Sequence, residues 1–181
     1  MCNQVNSKIR RYHELGQLKP CSFVNERVHV DLLGPLPDNE GYKYLLVMVD
    51  SFSGFMRVCP LENKEASQVV RGFLSHWIGL FGPPLMINAD QGKEFDNQLF
   101  QTLAADFGSR ITFSSVMHPQ SNGMVERRMR EILQYLRKFI ETTDCNNWKD
   151  KLAGLQFAYN SVVSRSTVSY THLTLPTKRI V

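Results

Sequence analysis

Residues 27–61 read RVHVDLLGPLPDNEGYKYLLVMVDSFSGFMRVCPL, and the alternation within this stretch decides the class of fold. Val28, Val30 and Leu32 alternate with His29, Asp31 and Leu33, so a strand here sets Asp31 off the apolar face. GPLPDNEG (34–41) breaks the chain, and YKYLLVMVD (42–50) reads as a buried strand. DSFSG is a turn and FMRVCPL (55–61) a third strand. Connections this short suit an antiparallel meander.

Helical periodicity follows. In KEASQVVRGFLSHWIGLFG (64–82) positions 66, 69, 70, 73, 74, 77, 78 and 81 form one apolar stripe, ended by Gly82-Pro83-Pro84. LMINA (85–89) is a short strand leading into Asp90. A second helix is expected over about 94–107, with Phe95, Leu99, Leu103 and Phe107 inward, then a strand RITFSSV (110–116). A third helix is expected over about 123–141, burying Val125, Met129, Ile132, Leu133, Leu136 and Ile140. A fourth, about 146–162, buries Trp148, Leu152, Leu155, Tyr159 and Val162. The order βββαβαβαα indicates an α/β sandwich built on a mixed sheet.

Composition fits a packed domain: 43% of the 181 residues are hydrophobic, which excludes a wholly disordered chain. The longest apolar run, Tyr44 to Val49, is six residues against the ~20 that span a bilayer, so no membrane role is expected. MCNQVNSKIRR carries no secretory signal, and Cys2, Cys21, Cys59 and Cys145 lack paired spacing; both suit a soluble intracellular protein. Residues 1–22 read as a polar linker. The formal charge of +4 comes from basic ends around a slightly acidic middle, and decides nothing about nucleic acid by itself.

The acids of the middle carry more information. Asp31 lies on the first strand and Asp90 closes the fourth, where ligands of open α/β sheets gather. The next helix takes the chain back by ~20 Å and the following strand returns it by ~23 Å. Glu126 therefore emerges at the same sheet edge, in the first turn of the third helix. Carboxylates at one edge repel each other. Hard divalent cations remove that penalty, and two ions ~3.5–4 Å apart can clamp an in-line phosphoryl displacement. The plainer alternative is that Asp31 and Asp90 merely end strands while Glu126 complements a helix dipole or pairs with Arg130.

At these residues the sequence resembles the catalytic core of retroviral-type integrases, most closely those of gypsy-type LTR retrotransposons. The matching segments are RVHVDLLGPLP (27–37), YLLVMVDSFSGF (44–55), GPPLMINADQGKEF (82–95), HPQSNGMVERR (118–128) and WKDKLAGLQFAYNS (148–161). Thirty-five residues separate Asp90 from Glu126, the spacing of that family. The resemblance covers about 23–167 and implies an RNase H-like fold, a mixed five-stranded sheet flanked by helices. It implies a metal-dependent polynucleotidyl transferase that trims DNA 3′ ends and joins them to double-stranded target DNA. Asp31, Asp90 and Glu126 match its catalytic, metal-binding acids, to be filled by two Mg²⁺ or Mn²⁺ ions. Lys93, His118, Gln120, Asn122, Arg127 and Arg130 become candidate DNA contacts, though a solvated helix face is the ordinary reading of Arg127 and Arg130. Relatives assemble as homo-oligomers on DNA, and the resemblance places this chain in the nucleus after passage through the cytoplasm.

Three departures matter. Met117 stands where relatives often have Tyr. Cys2 resembles the last ligand of an N-terminal zinc module, but a lone Cys builds no tetrahedral site, so no structural zinc is expected. VSYTHLTLPTKRIV (168–181) replaces the family's continuation and reads as a foreign or frame-shifted tail. With the module cut and the core's end replaced, the isolated chain is expected to be weak or inactive. Asp50 matches a family position but opens a turn, a structural use of Asp. Two rival functions remain open at this point: a domesticated, non-catalytic DNA or chromatin tether, and an RNase H-like nuclease that cleaves without joining.

Overall fold

A computed structural model describes residues 21–90, 92–113, 123–142, 147–161, 163–164 and 169–170, with the backbone alone given for 123–128 and the last two pairs. The strands are β1 (Arg27–Leu33), β2 (Tyr44–Asp50), β3 (Met56–Leu61), β4 (Met86–Ala89) and β5 (Arg110–Phe113). They form one sheet in the order β3-β2-β1-β4-β5. β2 runs antiparallel to both β1 and β3, as short connections demand, whereas β4 and β5 join through helices and run parallel to β1. The helices are α1 (Ala66–Phe73), a π turn (Leu74–Ile78), α2 (Gly79–Phe81), α3 (Gln98–Asp106), α4 (Gly123–Thr142) and α5 (Trp148–Asn160). A two-stranded ribbon, β6 (Val163–Ser164) with β7 (Ser169–Tyr170), has no counterpart in the sequence reading.

Both faces of the sheet are covered, which explains the unbroken apolar run of β2. Leu46 and Met48 join Val28, Val30, Phe73, Trp77 and Phe100 on one face, in the layer of α1 and α3. Leu45, Val47 and Val49 join Leu33, Met129, Ile132, Leu136, Trp148 and Leu152 on the other, in the layer of α4 and α5. Asp31 is thus off the Val28–Val30 face, as expected, but its own face is the α4 side rather than solvent. Val125 and Val162 lie outside the described side chains.

The structure corrects two helix assignments. The expected 64–82 helix holds its stripe but takes a π turn at Leu74–Ile78, which accompanies the bond from Trp77 Nε1 to Asn25 Oδ1 at 2.9 Å. The expected 94–107 helix begins only at Gln98, because Asn97 caps it, accepting from Phe100 N–H at 2.9 Å. Phe95 and Leu103 are buried as expected, but Leu99 and Phe107 are exposed, and Phe100 and Ala104 take their place in the core.

Turn and edge chemistry completes the frame. Asp50 is buried and accepts from Asn25 N–H, Ser53 N–H and Ser53 Oγ at 2.6–2.9 Å, so its carboxylate closes its own turn and ties that turn to the chain before β1. β3 is an edge strand, and α5 satisfies it: Val58 N–H donates to Gln156 Oε1 at 2.9 Å, and Asn160 bonds both N and O of Met56 at 2.8 Å.

Candidate active site

The acids come together through strand register. β1 and β4 are parallel neighbours with Val30 opposite Ala89, so the residues that follow stand beside each other: Asp31, still within β1 and paired with β2, and Asp90, just past the end of β4. Leu32 N–H donates to Asp31 Oδ1 at 2.7 Å, and Gly92 N–H donates to Asp90 Oδ1 at 3.0 Å. Burial pushes the Asp31 carboxyl up to about 6; the Leu32 bond opposes that, and the charges of Asp90 and Glu94 add to it.

Glu94 is the residue that sequence reading missed. A Cβ built on Gly92 would stand 2.7 Å from Glu94 Cδ and 2.9 Å from Asp90 Oδ1, so glycine is what lets the two carboxylates share this corner. The turn is pinned from below: Phe95 N–H and Asp96 N–H both donate to the Gly92 carbonyl, and the buried Phe95 ring packs edge-on against Phe100 at 5.6 Å. The only sequence signal was position, two residues beyond a glycine that follows a candidate acid.

Below the acids lies a second polar tier. His29 sits opposite Asn88 in the β1–β4 register, and Asn88 Nδ2 donates to His29 Nδ1 at 3.1 Å. With Asn88 donating to Nδ1, the proton of the neutral ring is on Nε2, which is buried and has no hydrogen-bond partner among the described residues. Burial, then the Arg27 charge, lowers the His29 pKa to about 4.

The remaining predicted residues divide. The backbone places Glu126 in the first turn of α4, one turn before Met129, which packs in the same cluster as Leu33 of β1. Its side chain, that of Arg127, and all of His118, Gln120 and Asn122 lie outside the described residues. Lys93 and Arg130 are described, and both are exposed. Among the described residues no group of three His, Cys, Asp or Glu is disposed to hold a metal ion. No described helix is long and apolar enough to cross a membrane. A groove of about 450 Å³ runs between β3, the π turn and α5, past Arg57, His76 and Phe157, and contains none of the predicted site residues.

A family profile, the integrase core domain, matches residues 23–119. The chain belongs to that family. The Pro-Pol polyprotein of simian foamy virus type 3 is 33% identical over 142 residues, 78% of this chain and 12% of the polyprotein. That of feline foamy virus is 32% identical over 172 residues, 92% of this chain and 14% of the polyprotein. The integrase core thus spans about an eighth of the length of these relatives. The HTLV-2 integrase catalytic core domain, solved in complex with magnesium, superposes with a TM-score of 0.62 at 24% identity, covering 81% of this chain and 93% of that one. The catalytic core of BIV integrase gives 0.58 at 23%, over 75% and 84%. The fold is that of retroviral integrase cores, RNase H-like, with the mixed five-stranded sheet expected from the sequence.

Proposed function

We propose that this integrase core is a metal-dependent polynucleotidyl transferase, processing DNA 3′ ends and transferring strands into double-stranded DNA. The observation that carries the reading is Asp31 within β1 beside Asp90 just past the end of the parallel neighbour β4, in a chain of this family. The donor set is oxygen only, and two like charges share one edge without an ion pair between the described residues. That chemistry fits Mg²⁺ or Mn²⁺, as does the magnesium bound by the HTLV-2 core. Asp31 and Asp90, with Glu126 completing the set, would hold two such ions, which supply Lewis-acid stabilisation at phosphorus.

The chain's own groups do the rest. Leu32 and Gly92 N–H fix one oxygen on each aspartate, leaving the other free to bind. Gly92 keeps the corner open to a DNA backbone, and exposed Lys93 and Arg130 offer cations to flanking phosphates, joined in this reading by His118, Gln120, Asn122 and Arg127. Phosphate contacts position DNA without reading bases, so target choice follows deformability. The reading extends to a homo-oligomer on DNA, as the simian T-cell lymphotropic virus intasome among the structural neighbours supports. It extends also to nuclear action, to a core of 23–167 between a linker and a non-family tail, to the gypsy-type subclass, and to the absence of structural zinc from this stretch.

A strand-transfer assay in Mg²⁺ or Mn²⁺ tests it. Joined products are expected, at low yield. Cleavage without joining would identify a nuclease, and binding alone a non-catalytic tether.

A further inference from the structure

Eight large hydrophobic side chains among the described residues are exposed, and five of them, Phe23, Val24, Leu80, Leu85 and Phe107, stand at 43–57% exposure around one end of the sheet. Hydrogen bonds fix that neighbourhood. Leu85 N–H donates to the Asn25 carbonyl at 3.3 Å, and Asn25 Nδ2 donates to the carbonyls of Phe81, Gly82 and Pro83 at 3.2–3.3 Å. Ser109 Oγ donates to the Pro84 carbonyl at 2.6 Å and Arg110 N–H to that of Leu85 at 2.9 Å, which brings the end of α3 alongside. Phe81, next to Leu80, packs edge-on against Trp77 and Phe55 at 5.1 and 5.5 Å, so the patch rests on the core. Exposed apolar side chains gathered in this way mark an interaction surface, whereas scattered ones need no explanation.

The chain enters the core inside this patch. Residues 1–20 lie outside the described residues, and Cys21 is two residues before Phe23. The point of entry is pinned: Ser22 N–H donates to Glu26 Oε2 at 2.6 Å, and Asn25, at φ 67°, bonds both Asp50 and Trp77. Upstream, the polar sequence sets Val5, Ile9, Tyr12, Leu15 and Leu18 at intervals of three or four residues, the spacing of an apolar row. Leu18 is three residues from Cys21, ~11 Å of extended chain at most. A segment tethered this closely meets the patch at an effective concentration on the order of millimolar, so even a weak apolar contact is filled.

We propose that this end of the sheet is a docking surface for residues 5–18 of the same chain, whose apolar row covers Phe23, Val24, Leu80 and Leu85. Covalent continuity delivers that segment to the patch ahead of any other molecule. Leu85 precedes Asp90 by five residues, ~16 Å of strand. Docking therefore leads the upstream chain off at the end of the sheet remote from the Asp31–Asp90 edge and leaves that edge open.

Hydrogen exchange of the full chain, read by mass spectrometry, tests this. Peptides covering 5–18 are expected to exchange about tenfold or more below their intrinsic rates, independently of protein concentration. Leu85→Asp, Leu80→Asp and Ile9→Asp each carry a charge into the contact and are expected to return those peptides to intrinsic rates. The β2 peptide holding Val47 stays protected in each, which reports an intact fold. Should Leu85→Asp lose protection at Val47, Leu80→Asp, at the more exposed position, decides. Intrinsic rates in the wild type overturn the proposal, as does protection of 5–18 that survives both patch substitutions. Protection that appears only as protein concentration rises assigns the patch to a second copy, and protection of 171–181 lost in Leu85→Asp assigns it to the other terminus; either result overturns the proposal.

Discussion

Asp31 and His29 stand two residues apart on one face of β1 and respond to acid in opposite senses. The folded pKa of Asp31 is raised to about 6 from 3.8, so the folded state holds its proton more tightly than the unfolded state. Its contribution is fully present below 3.8 and is lost as pH rises through 6. The folded pKa of His29 is lowered to about 4 from 6.5, so stability is lost as pH falls through that interval. In the wild type the two slopes oppose each other between pH 4 and 6. Asp31→Asn should therefore stabilise the ion-free chain at pH 7.5 by about 1–3 kcal/mol, an advantage that vanishes by pH 4. It should also leave the His29 limb unopposed, so that this variant loses stability from pH 7 to 5 more steeply than the wild type. Urea unfolding across that range measures both. Mn²⁺ should raise the Tm of the wild type and not of Asp31→Asn, since only the former gains a ligand of the folded state.

At the scale of elements, the decisive contacts are those that seat helices on the sheet. α1 approaches so closely at Gly72 that an added Cβ would lie 3.2–3.3 Å from Leu46 Cδ2, Cys59 Sγ and Leu61 Cδ2. Gly72→Val, branched and too large for that gap, should cost about 1–3 kcal/mol by overpacking, read as a lower urea midpoint. α5 guards the β3 edge through Asn160, whose amide bonds both backbone groups of Met56. Asn160→Ala leaves a buried N–H and a buried carbonyl without it, and should cost about 2 kcal/mol. Hydrogen exchange offers a local readout: protection of the Met56 amide should fall more than that of Val47 in the central strand. Equal losses at both would place the role of Asn160 elsewhere.

For the whole molecule, the integrase reading makes one demand that folding alone does not. Asp90 is exposed at the sheet edge and, among the described residues, bonds only the Gly92 N–H of the turn that follows it, so Asp90→Asn should abolish strand joining while leaving the far-ultraviolet spectrum and Tm near wild type. Full joining by that variant would remove Asp90 from the chemistry.

Strand and helix order was legible from the sequence because periodicity is local: β2 shows its burial in YLLVMV, and α4 its stripe from Met129 to Ile140. That Asp31, on the first strand, and Asp90, closing the fourth, come together was legible because the carboxyl ends of neighbouring strands in an α/β sheet share one edge. The tertiary structure alone decided the rest. It set the sheet order, the π turn against Asn25, the cap that delays α3, the grip of Asn160 on Met56, and the corner where Glu94 meets Asp90. Each depends on what lies across the gap. A pattern in the chain records how each residue alternates between faces, but contact between residues as distant as 56 and 160 exists only once the layers have packed.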